Sequence, residues 1–229
     1  MKDLSAPTLA EDVLLVLFQP DSGTIAGENT LHYVLAGAVL ADLALNESVR
    51  ITTTRTGVTS VEAVEGRAPS DEILRSAWDY ASAKSVAVQT LLDAIGPTLR
   101  QPLLERLIAR GDIREENGKV LGLFKITTLK DGGSRRRSGL IKEVRSVLVD
   151  GVGPTPRVAA LTALMWGSGT LHQFDPEIPW NSVVIARAQE LERGNCSDEG
   201  ATQAAARITA ATIGVIAATV LHGVPAPPT

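Results

Sequence analysis

Between Arg114 and Arg145 the chain sets nine Lys/Arg against four Asp/Glu, a local balance of +5 in a protein of net charge −4, so the remainder carries −9. A polybasic segment on an acidic body is drawn to anionic surfaces, by about 1 kcal/mol per Lys/Arg near a membrane. Its densest part, Arg135, Arg136 and Arg137, follows Gly132 and Gly133, which puts it on a loop at the start of a helix. Short basic loops are just as often only solvated. Nucleic acid is not expected as a partner, because strand binders interleave aromatic side chains with basic ones and only Phe124 lies in this stretch.

Catalytic chemistry has little to build on. Cys196 is the only cysteine, which excludes an internal disulfide or a cysteine-based zinc site and fits a reducing compartment. His32, His172 and His222 lack the i, i+4 spacing of two metal ligands on one helix face. Gly151, Gly153 and Pro154 resemble a phosphate loop only superficially, since no Gly-Lys-Ser/Thr follows. Glu115 and Glu116 read as a solvated pair in a hairpin turn, without the apolar burial that raises a carboxyl pKa for acid catalysis. No enzyme activity, cofactor or metal is therefore expected.

The elements that must position these groups are mostly helices. Thr8 and Glu11 form a capping box that starts a helix through Leu14, Leu15, Leu17 and Phe18, ended by Pro20 and Gly23. Leu31 to Leu45 is apolar almost all round and reads as a core helix. Val49–Thr54 and Val58–Val64 read as a hairpin. Helical patterns cover Ser70–Ala81, Ser85–Ile95 and Thr98–Arg110, with Gly111 as the C-terminal cap. A second hairpin is predicted with arms Asp112–Glu115 and Lys119–Thr127 around an Asn117-Gly118 turn. Val120, Leu121, Leu123 and Phe124 then put apolar groups on both faces of one arm. One face packs on the helices and the other meets a second subunit or a membrane. Helices follow over Ser138–Val149, Pro156–Gly167 and Pro179–Arg193. The last, from Asp198 to His222, reads as a central buried helix, because its apolar run Ile208–Leu221 is shorter than the roughly 20 residues needed to span a bilayer.

The 229 residues, 44% apolar but only 3% aromatic, suit one domain with an Ala, Val, Leu and Ile core. The expected fold is mainly α: a single globular helical domain with two short β-hairpins, one protruding, a core over 8–222 and a flexible tail over 223–229. Residues 1–11 carry no signal-type apolar stretch, so secretion is not expected.

Three segments, in order, resemble the Golgi phosphoprotein 3 family: Thr8-Leu9-Ala10-Glu11-Asp12-Val13-Leu14-Leu15, the helix from Leu35 to Leu45, and Leu107-Ile108-Ala109-Arg110-Gly111-Asp112-Ile113 with its following hairpin. The resemblance runs from about Thr8 to about Val220 and is to the compact bacterial-type members. It implies a cytoplasmic, peripheral membrane protein that binds phosphatidylinositol 4-phosphate in a basic pocket, and, in Golgi members, an adaptor for the basic cytosolic tails of membrane enzymes. It also assigns homo-oligomerisation or membrane contact to the 112–127 hairpin through Leu121, Leu123 and Phe124. Four pocket positions of the family fall at Gly27, Ala36, Pro97 and Arg100, of which only Arg100 is basic. One arginine is a small donor set for a phosphomonoester of about −1.5 to −2 charge. Arg106, Arg135, Arg136 and Arg137 are the candidates to complete a head-group site. The alternative function is an oligomeric protein-interaction scaffold without lipid specificity.

Overall fold

Thr8 caps the first helix as the sequence predicts: its side chain accepts from the Glu11 amide at 3.2 Å, while Glu11 Oε2 accepts from the Thr8 amide at 2.9 Å. The computed structural model describes residues 5–120, 124–192 and 200–222. Every residue of α1 (Leu9–Leu17) is buried, the two carboxylates Glu11 and Asp12 included. Where Pro20 and Gly23 end the helical pattern, a short pairing the sequence did not announce appears, β1 (Phe18–Gln19) with β2 (Thr24–Ile25). Gly23, at φ +72°, brings this turn so close to the later long hairpin that a Cβ would lie 2.7 Å from the Leu129 carbonyl oxygen.

The central element is α2 (Leu31–Leu45), within the predicted bounds and buried from Val34 to Ala44. It packs against α1 and against two later helices, α7 (Pro156–Gly167) and α9 (Gly200–His222). Strands β3 (Val49–Thr53) and β4 (Thr59–Ala63) form the predicted first hairpin. A third strand, β5 (Val86–Ala87), joins β4 and takes the start of a segment predicted as helix. Asp71 caps α3 (Glu72–Ser82) by accepting from the amides of Ile73 and Leu74. Then come α4 (Val88–Ile95), a 3-10 turn over Gly96–Thr98, and α5 (Arg100–Ala109), beyond which Gly111 takes φ +74°. Pro97 lies in that turn and Ala36 is fully buried in α2.

The second hairpin differs from expectation. Strand β6 (Ile113–Val120) pairs with β7 (Phe124–Asp131) from Ile113 opposite Asp131 to Val120 opposite Phe124. Asn117 and Gly118 therefore lie in a strand, opposite Thr127 and Ile126, and Glu115 and Glu116 are strand residues too. Residues 121–123, the predicted Leu121 and Leu123 among them, lie outside the described residues. Eight paired positions per strand make a ribbon about 27 Å long at ~3.4 Å per residue. Its base is fixed by Ile113, 1% exposed, and by Leu129, which packs on the core.

Four helices complete the fold: α6 (Arg136–Leu148), α7 (Pro156–Gly167), α8 (Ser182–Glu192) and α9 (Gly200–His222). The last is not central. Ala205, Ile208, Ile213 and Ile216 are buried, whereas Gln203, Arg207 and Ala210 are exposed, so it covers α2 and α7 with one face. Its approach is close: a Cβ on Gly37 of α2 would lie 2.6 Å from Thr212, and one on Gly167 of α7 would lie 2.4 Å from Ile213. One continuous apolar core runs from Leu9 to Ile216, the mainly helical domain the sequence predicts. Among the described residues no helix is long and apolar enough to cross a membrane.

Candidate functional site

The buried carboxylates of α1 need partners, since a charge taken out of water is tolerated only when paired and hydrogen-bonded. Glu11 Oε1 accepts from Arg110 Nε at 2.6 Å, and Arg106 Nη1 stands 3.7 Å from Glu11 Oε2. Arg106 reaches on to Asp71, with Nη1 donating to Oδ2 at 2.6 Å. On the other side Asp12 accepts from Arg136 and from Arg157, whose Nε lies 2.9 Å from Oδ2. Arg136 bridges to Asp112, and Arg157 Nη1 bridges to Asp42 Oδ1 at 3.0 Å. Four arginines from α5, α6 and α7 thus alternate with five carboxylates around the N-terminal end of α1.

Two of these carboxyls titrate away from the usual value. Burial pushes Asp42 up to about 6; the Arg157 charge and the hydrogen bond from the Leu9 amide oppose it, and nearby Asp12 adds to it. At Asp71 burial also acts upward, but the hydrogen bonds from Arg106, Leu74 and Ile73 together with the Arg106 charge outweigh it and lower the pKa.

The candidate head-group arginines do not gather at one place. Arg106 and Arg136 are held in the carboxylate network. Arg137 Nε donates to the Phe18 carbonyl at 2.8 Å, and burial lowers its pKa against the opposing charges of Glu177, Asp131 and Asp21. Arg100 opens α5 on the surface, with Nη2 donating to Glu28 Oε1 at 3.0 Å. Arg135 is exposed, at φ 63°, just before α6. Beside Arg100, Gly27 takes φ +71° and the space a Cβ would need is held by the Thr170 methyl at 2.8 Å.

Sequence reading passed over Arg110, Arg157, Asp42, Asp71 and Asp112. A signal existed: Glu11, Asp12 and Asp42 interrupt apolar helices on positions that face the core, and fully buried acids are nearly always paired. Which arginines answer them is not a matter of spacing, because the arginines hydrogen-bonded to these three acids lie 99 to 145 residues away along the chain. Among the described residues no group of three or more His, Cys, Asp or Glu is arranged to hold a metal ion. Cys196 lies outside the described residues.

One step from the buried Ile113, Arg114 stands opposite Lys130, and Arg114 Nε donates to the Asp131 carbonyl at 3.2 Å. At its far end the register sets Lys119 opposite Lys125 and Val120 opposite Phe124. Of the apolar residues predicted to lie along one arm, Val120 therefore ends one strand and Phe124 begins the other.

A family model described as Golgi phosphoprotein 3 (GPP34) matches residues 9–212 of the chain. No curated protein sequence matches it.

Proposed function

Since the chain belongs to the Golgi phosphoprotein 3 family, we propose that it is a peripheral membrane protein that binds anionic lipid, phosphoinositide head groups included, and not an enzyme. The observation that supports this most directly is the hairpin. Eight-residue strands carry Val120 and Phe124 to the end opposite the anchored Ile113, with a Lys119–Lys125 pair one step behind. An apolar tip flanked by cations suits insertion at a negatively charged interface, where buried area and electrostatic attraction add.

The head group itself meets Arg100. With Arg106 and Arg136 tied to buried carboxylates, the arginines left for a phosphate are Arg100, held only by an exposed pair to Glu28, and Arg135. Surface pairs of this kind are weak, so a phosphomonoester displaces Glu28 at small cost. Vesicle co-sedimentation at low salt tests the reading, with phosphatidylcholine alone, with added phosphatidylserine, and with added phosphatidylinositol 4-phosphate. Both anionic vesicles pull the protein down, and Leu123→Asp with Phe124→Asp abolishes this without lowering the melting temperature. Glu28→Gln strengthens binding to the phosphoinositide and Arg100→Gln weakens it. No sedimentation with any anionic vesicle overturns the proposal.

The scaffold reading draws on the same tip. It predicts that the Leu123→Asp, Phe124→Asp variant has a smaller size-exclusion mass than the parent in the absence of lipid, and that neutral and anionic vesicles behave alike.

A further inference from the structure

A second polar opening lies on another part of the surface, where α9 runs past β3 and β4 of the three-stranded sheet. The strand order is β3-β4-β5, so one side of β3 is unpaired among the described residues. Which backbone groups line that side follows from the register. Ser48 O accepts from Val64 N and Thr54 N donates to Val58 O, both at 2.9 Å, while Arg50 stands opposite Glu62 and Thr52 opposite Ser60. In an antiparallel pair alternate residues exchange both hydrogen bonds with the partner strand. The even-numbered residues therefore turn their N–H and C=O groups to β4, and Val49, Ile51 and Thr53 turn theirs to the open side.

Among the described residues no proline, bulge or covering element blunts this edge, the usual devices at exposed edges. Instead it borders a cavity of about 350 Å³ whose lining includes Glu47, Val49, Arg50 and Ile51 on one side and Gln203 and Arg207 of α9 on the other. The lining carries Arg50 and Arg207 against Glu47, a balance of +1 in a chain of net charge −4. Glu47 is neutralised by Arg67 at 2.7 Å. The Arg50 contact to Glu62 is long, 3.9 Å, with both side chains more than half exposed. Arg207 donates to the carbonyl oxygen of Gln203 at 3.3 Å, a neutral partner, which leaves the Gln203 amide hydrogens for another acceptor.

We infer that this edge and cavity form a docking site for an extended acidic peptide, which adds to β3 as a further strand and places carboxylates against Arg50 and Arg207. Strand addition supplies main-chain hydrogen bonds to Ile51 and Thr53, and the two arginines supply the selectivity for negative charge. Neither group takes part in the lipid reading, so the site stands or falls independently of it.

The test is titration of the full chain, labelled with ¹⁵N, with the capped hexapeptide acetyl-Thr-Glu-Val-Glu-Val-Thr-amide. The amides of Ile51 and Thr53 shift and become protected from solvent exchange, while those of Arg50 and Thr52, already bonded to β4, keep their protection. Arg50→Gln with Arg207→Gln, both at exposed positions, weakens binding about tenfold, the loss of charge-assisted bonds. A peptide with lysine in place of glutamate does not bind, and one N-methylated at alternate backbone positions binds much more weakly. No binding at millimolar peptide overturns the inference. Equal binding of the lysine peptide or of the N-methylated peptide overturns it as well, since the first removes the role of the arginines and the second that of the strand edge.

Discussion

Asp42 is buried in the last turn of the apolar α2, where it accepts from the Leu9 amide and from one arm of Arg157. Its folded-state pKa of about 6 exceeds the ordinary aspartate value of 3.8, so between those values the native state binds the proton more tightly than the unfolded chain. Stability attributable to this group therefore rises as pH falls through 6 toward 4, and a penalty on the order of 3 kcal/mol applies above pH 6. Asp71 has the opposite sign: its lowered pKa contributes stability above 3.8 that is lost as pH falls further. Asp42→Asn keeps an acceptor for Leu9 and cannot titrate. Urea midpoints at pH 7.5 and pH 5.0 should show the parent gaining on the variant at the lower pH, and a pH-independent difference would refute the assignment.

Elements were legible to different depths, for reasons visible in particular residues. The Thr8–Glu11 capping box and the unbroken apolar run from Leu31 to Leu45 are local signals, and both helices stand where those signals put them. The Asn117-Gly118 dipeptide is local too, but the ladder continues through it to Val120, so pairing along the whole ribbon overrides the turn preference of two residues. For the last helix, composition gave the apolar character but not which neighbours it meets. Its seat on α2 depends on Gly37, where an added Cβ has no room beside Thr212. Gly37→Ala forces helix against helix and should destabilise by about 1–3 kcal/mol. Thr212→Ala in the same chain removes both atoms lying at 2.6 Å and should restore part of that loss, measured by chemical denaturation. Additive losses in the double variant would mean that the contact does not limit the approach of the two helices.

At the scale of the whole molecule, the arginine–carboxylate network ties α1 to α2, α5, α6 and α7. Arg157 sits at its centre, binding Asp12, Asp42 and the Pro7 carbonyl at once. Arg157→Ala leaves buried Asp42 without its cation and Asp12 with Arg136 alone, and removing one partner of such a pair costs about 3 kcal/mol. The loss should appear as a lower thermal midpoint with little change in the far-ultraviolet spectrum of the protein that remains folded; an unchanged midpoint would show that water solvates Asp12 and Asp42 well enough. None of this network was legible in the sequence. The acids could be recognised as misplaced in apolar helices, but a pair separated by 145 residues is created by the fold and not by local pattern.

That separation also sets an order in time. The first helix holds Glu11 and Asp12 at the centre of the core, while the cations that neutralise them arrive with Arg106, Arg110, Arg136 and Arg157. During synthesis from the N-terminus, α1 emerges long before those partners, and until they follow, its two charges are better left in water. Burial of Asp12 beside both of its partners therefore requires the chain up to Arg157, about two thirds of its length, to have been made.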